Sequence, residues 1–115
     1  MTSEFVHLHN HSDYSLLDGA QRVDQLVDTI DDLNMDSLAL TEHGNMFSVV
    51  PFYNQAKNTG IKPIIGCETY VAVGSRHNKK PPAGGGWGNN HLILLVQNQS
   101  GYQNLMKLVT AGYLE

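Results

Sequence analysis

Residues 5–19 read FVHLHNHSDYSLLDG, and the rest of the chain is organised around them. Phe5, Val6 and Leu8 form a short apolar lead-in that brings His7, His9 and His11 to alternate positions, with Asp13, Ser15 and Asp18 close behind. In an extended segment, residues two apart project from the same face. Three imidazoles facing one way are costly to bury as filling, because each ring carries a donor and an acceptor that need partners. A lone histidine on an apolar strand is ordinarily a core or surface residue. An H-x-H-x-H run followed by carboxylates is different, since imidazole plus carboxylate is the donor mix that suits zinc, manganese or iron. Leu8 and Asn10, interleaved among the histidines, set the run apart from an expression tag.

Composition bounds the rest. With 115 residues, 41% of them hydrophobic, the chain forms one domain at most and buries a modest core. It contains no membrane-length apolar run, and the start MTSEFVHLH lacks the charged and apolar regions of an export signal. The single Cys67 excludes an internal disulfide, which fits a reducing compartment and a cytoplasmic location. A net charge of −4 argues against non-specific nucleic-acid binding, because phosphate neutralisation needs a Lys/Arg surface. Any contact with DNA would run through a metal site or a local basic patch.

Outward from the histidines, strand and helix signals alternate. Val23, Leu26, Val27, Ile30 and Leu33 recur at helical spacing, with Asp24, Asp28, Asp31 and Asp32 on other faces as the solvated side of a surface helix. Residues 37–41 (SLALT) fit a strand buried on both faces, ending at Glu42, His43, Gly44 and Asn45. Ligands bind at the carboxyl ends of such strands, although His43 and Asn45 also read as ordinary turn residues. Residues 49–58 predict a second helix, with Pro51 in its first turn and Gly60 closing it. KPIIG (62–66) starts a third strand that runs through Cys67, Glu68 and Thr69 to Val73; read alone, Glu68 is more often a salt-bridged glutamate than a ligand.

Residues 74–90 (GSRHNKKPPAGGGWGNN) break the pattern with two prolines, five glycines and three of the seven basic residues, Arg76, Lys79 and Lys80. They predict a mobile loop with Trp87 as its one candidate core residue; the basic cluster is a possible DNA contact or simply solvated, and His77 is not expected to be a ligand. His91 then opens a further buried strand, HLILLV (91–96). Ser100 reads as an N-cap for a helix whose apolar stripe is Tyr102, Leu105, Met106, Leu108 and Val109. Four βα-like units in order predict an α/β fold with a parallel sheet.

HLHNHSDYSLLDG, LALTEHGNMF, KPIIGCETYV and HLILLVQNQSGYQNLMKLV, in that order, resemble the PHP (polymerase and histidinol phosphatase) domain family over almost the whole chain. YSLLDG, GNMF, GCETYV and GYQNLMKLV resemble its replicative-polymerase branch rather than its free-standing phosphatases. The resemblance implies the N-terminal part of a distorted TIM-like (β/α) barrel, incomplete within these residues. It implies metal ligands at His9, His11, Asp18, His43, Glu68 and His91, with Glu68 bridging two ions and His7 and Glu42 supporting the ligands from behind. Glu42 departs from the family, which usually has Asp before this histidine. A later histidine and an Asp-x-His pair would lie beyond Glu115.

The implied cofactors are zinc or manganese, as a trinuclear cluster in a complete domain, with magnesium for a polymerase site that this stretch does not contain. The implied chemistry is phosphoester hydrolysis of the 3′–5′ exonuclease type, within a DNA-directed DNA polymerase (a nucleotidyltransferase) that acts in DNA replication. The implied partners are DNA, a sliding clamp and a proofreading subunit, with no membrane. A metal-poor scaffold and a free-standing PHP phosphatase are the alternatives, and the catalytic residues themselves stay unassigned.

Overall fold

The structure is a computed structural model that describes residues 4–80, 83–86 and 88–115. In chain order it holds a short 3-10 turn (Asp13–Ser15), α1 (Val23–Asp32), β1 (Ser37–His43), α2 (Val49–Thr59), β2 (Lys62–Ala72), β3 (Asn89–Leu95) and α3 (Gln99–Leu114). Trp87 and the prolines at 81 and 82 lie outside the described residues.

Hydrophobic spacing explains the core. Val23, Leu26, Val27 and Ile30 of α1 meet Leu38 and Leu40 of β1 and Phe52 and Ala56 of α2, with Ile61 closing the cluster. Leu38 and Leu40 are two apart, so they share one face of β1, and that face also carries Glu42. The opposite face carries Ala39, Thr41 and His43. Pro51 sits in the first turn of α2, where its missing N–H costs nothing. Gly60 ends that helix in the left-handed conformation at φ +86°, which a residue with a Cβ adopts only at a cost.

The histidine segment runs beside β1. The Ala39 N–H donates to the His7 carbonyl and the Thr41 N–H to the Asn10 carbonyl, at 3.0 and 2.9 Å. Three steps of the outer segment thus match two of β1, a bulge-like offset that breaks strict alternation. His7 accordingly does not join its neighbours, and its ring packs edge-on against Phe5. The expectation that all three imidazoles face one way is corrected to two.

β1 and β2 pair in parallel with His43 opposite Glu68, and α2 provides the crossover. The wholly parallel sheet expected from the sequence is not found, because β3 pairs with β2 antiparallel, with His91 opposite Tyr70. Parallel pairing needs a crossover, usually a helix. Residues 73–88 supply none among the described residues, so the chain returns as a long hairpin. Asn89 and Asn90 pair with Ala72 and Val71, placing the end of the glycine-rich stretch inside β3. β3 is also largely exposed rather than buried, as is most of α3, where only Leu105 is buried. The cap of α3 is Asn98, whose side chain accepts from the Gly101 N–H at 3.0 Å; Ser100 lies inside the first turn.

Candidate metal centre

The offset at the histidine segment, the end of β1 and the antiparallel β3 together place six side chains in one cluster. Glu68, only 6% exposed, is its hub. Its Oε2 accepts from His9 Nε2 at 2.8 Å and His11 Nε2 at 2.6 Å, and its Oε1 from His91 Nδ1 at 2.6 Å. Asp18 joins the other side, its Oδ2 lying 2.5 Å from His11 Nδ1 and 2.8 Å from His43 Nδ1. The sequence separates His9 from His91 by more than eighty positions, yet both reach the same carboxylate.

The electrostatics follow from these contacts. Burial pushes the Glu68 carboxyl up, but hydrogen bonds from His9, His91 and His11 outweigh it and hold it down at about 2. The hydrogen bond from His43, aided by the charge of His11, likewise holds Asp18 below its ordinary value. Cys67 lies behind the cluster, where burial pushes its thiol up to about 11, so it is no nucleophile at neutral pH.

Three groups among the described residues could each hold a metal ion: His9, His11 and Glu68; His11, Asp18 and His43; and His43, Glu68 and His91. The donor set fits the group that the sequence pattern implies, being imidazole nitrogen and carboxylate oxygen throughout. The groups share members, and sharing limits them. Four neutral imidazoles offering one lone pair each, Glu68 shared by two groups and Asp18 in one supply seven bonds, two short of the nine that three ions with three protein ligands apiece require.

Glu42 does not touch the imidazole of His43. It lies on the other face of β1, 1% exposed, and takes its partners from the flanking turns. Its carboxylate accepts from the Ser12 N–H at 3.1 and 3.2 Å, from the hydroxyls of Ser12 and Ser15, and from Ser48 Oγ at 2.9 Å. Sequence reasoning missed Ser12 and Ser48 and gave Ser15 no role. A carboxylate in a buried strand must find donors, but of these hydroxyls only Ser48 lies near the strand in sequence. Tyr70 was missed too: its ring sits 5.1 Å from that of His43 and 5.0 Å from that of His91. Arg76 and Lys79 instead meet Glu115.

A parallel β1–β2 pair joined by a helical crossover, with an antiparallel β3 beside it, gathers histidines and carboxylates past the end of β1 and defines an α/β protein with a metal-ligand constellation. The PHP domain profile matches residues 7–115, and the chain belongs to that family. The DNA polymerase III subunit alpha of Borreliella burgdorferi is 50% identical over 113 residues, covering 98% of this chain and 10% of the relative. The same subunit from Treponema pallidum is 50% identical over 111 residues, covering 96% and 9%, and that from Thermus aquaticus is 45% identical over 114 residues, covering 97% and 9%. The chain thus spans about a tenth of the length of the curated relatives it matches. Among solved structures, an amidohydrolase from Chromobacterium violaceum with bound sulfate shares the fold, with a TM-score of 0.59 and 24% identity over 89% of this chain and 32% of that one. No described helix is long and apolar enough to cross a membrane.

Proposed function

We propose that the cluster is a divalent-metal centre for phosphoester hydrolysis, in a PHP domain belonging to a replicative DNA polymerase. The observation that carries the reading is the single buried carboxylate of Glu68 held among His9, His11 and His91, with Asp18 linking His11 to His43. A structural salt bridge needs one partner, whereas here three imidazoles share the Glu68 carboxylate and two share that of Asp18, the shared-donor pattern of adjoining coordination shells. His9, His11, Asp18, His43, Glu68 and His91 would hold zinc or manganese. Bound there, the ions would supply Lewis acidity and an activated water. The protein's part is to fix the donors before substrate arrives, with Glu68 as the shared anchor and β1 and β2 setting the spacing of His43 and Glu68.

The likeness to polymerase III alpha subunits extends the proposal to the longer protein: DNA-directed DNA polymerase activity, DNA as substrate, and a sliding clamp and proofreading subunit as partners. Arg76, Lys79 and Lys80 are a candidate DNA contact. A third ion, and with it a trinuclear cluster, needs ligands that these residues do not supply.

The test is to dialyse the 115-residue chain against zinc or manganese, measure bound metal, and assay a single-stranded DNA oligonucleotide. The expected result is weak uptake of at most two ions, reduced by Glu68→Ala, with no hydrolysis. Uptake that Glu68→Ala leaves untouched would overturn the metal centre. Full occupancy with nuclease activity lost in His9→Ala would overturn the need for further ligands.

A further inference from the structure

Ser15 touches three parts of the machinery at once. Its hydroxyl donates to the Glu42 carboxylate, and the same oxygen accepts from the His43 backbone N–H at 3.0 Å. Its carbonyl accepts from the Asp18 N–H at 3.1 Å. Ser15 is 8% exposed, and its hydroxyl is engaged by these two contacts. It therefore joins the main chain of His43 to the turn that carries Asp18, two residues that come from segments twenty-five positions apart and meet at 2.8 Å.

The turn does not hold this form unaided. Leu16, the next residue, sits at φ +48° and ψ −101°, outside the regions a leucine ordinarily occupies, and Leu17 is fully exposed. A strained backbone persists where its surroundings over-determine it. Here the surroundings are the hydroxyls of Ser12 and Ser15 locked onto Glu42, a buried carboxylate whose hydrogen-bond partners are all neutral donors.

Accepting the metal reading above, we infer that Ser15, anchored on Glu42, is the positioning residue for the ion held by His11, Asp18 and His43. It sets the distance between the Asp18 carboxylate and the His43 imidazole without touching either donor atom. Groups that orient metal ligands change affinity by about ten- to a hundredfold when removed.

The experiment is a cobalt(II) titration of the 115-residue chain, following the visible absorption band, with a double-mutant cycle of Ser15→Ala and Asp18→Ala. Ser15→Ala should weaken cobalt binding by about ten- to a hundredfold and alter the band shape. In the Asp18→Ala background the same change should cost less than about threefold, because neighbours that act through one another are not additive. Glu42→Gln, which keeps the volume, gives a second reading should Ser15→Ala fail to fold, and it should show the same dependence on Asp18. Equal losses in both backgrounds, or wild-type affinity in a folded Ser15→Ala chain, would overturn the inference. Failure of the unaltered chain to bind cobalt would overturn the metal reading with it, whereas binding abolished by His43→Ala but indifferent to Ser15→Ala would remove the inference alone.

Discussion

Gly19→Ala tests how tightly the histidine turn is closed. A Cβ at Gly19 would stand 1.8 Å from the Ser12 carbonyl oxygen and 2.5 Å from its carbon, both backbone atoms that cannot rotate away. Ordinary contact between such atoms begins at about 3.4 Å, so the two segments must part by roughly 1.5 Å. The Ser12 N–H, now 3.1 and 3.2 Å from the Glu42 oxygens, would then pass out of hydrogen-bond range. A hydrogen bond to a charged acceptor is worth about 1.5–3 kcal/mol, and overpacking costs about 1–3 kcal/mol, with relaxation making the two overlap. A net loss of about 3 kcal/mol lowers the melting temperature by about 10 °C in a chain of this size. The assay is thermal unfolding followed by far-UV circular dichroism, with Gly112→Ala as the control: nothing lies near that position in α3, so alanine there should stabilise by about half a kcal/mol. Gly19→Ala should also weaken metal binding, since His11 adjoins Ser12. A variant that melts within about 2 °C of the parent and binds metal normally would refute the closed turn.

Three further outcomes are expected. Glu68→Gln should flatten the acid limb of the stability curve: the native carboxyl titrates at about 2 against an ordinary 4.5, so its contribution is full above about pH 4.5 and lost as pH falls toward 2; urea unfolding at pH 5 and pH 3 reads this, and parallel curves for the two proteins would count against it. A metal-bound crystal structure should show the nitrogen–oxygen separations at Glu68 and Asp18 lengthened to roughly 3.3 Å, the spacing of ligands about 2 Å from a shared ion; unchanged contacts with metal bound elsewhere would contradict the assignment. Replacing residues 75–86 by a short Gly/Ser linker should leave the melting temperature within a few degrees, because that stretch holds no aliphatic side chain beyond two prolines and one alanine and no Phe, Tyr or Trp; a large loss would show that the segment packs on the body.

What the sequence disclosed depended on whether a signal was local. α1 and α2 follow from hydrophobic spacing, Pro51 and Gly60, each readable within one helix length. His9, His11, Asp18, His43, Glu68 and His91 were picked out by motif resemblance, and the fold brings them within hydrogen-bond reach of one another. Two things were illegible because they depend on pairing across the sheet. The direction of β3 goes with the lack of a crossover helix among the described residues between β2 and β3, which the apolar run 91–96 does not encode. The seat of Glu42 depends on hydroxyls from two other segments, so the sequence assigned it support of the neighbouring His43 imidazole, which its carboxylate does not touch. His7 shows the limit of alternation: one extra residue in a bulge undoes the period of two.

The reversal of β3 also decides what fixes two of the ligands relative to each other. In a parallel unit the chain leaves the carboxyl edge of a strand, crosses behind the sheet and re-enters from the far side. Here β2 and β3 are the two arms of one hairpin, so Glu68 and His91 are held by the same run of strand pairs, closed by Ala72 opposite Asn89. The spacing of these two ligands is therefore set by the register of the hairpin arms and not by the length of the connection between them.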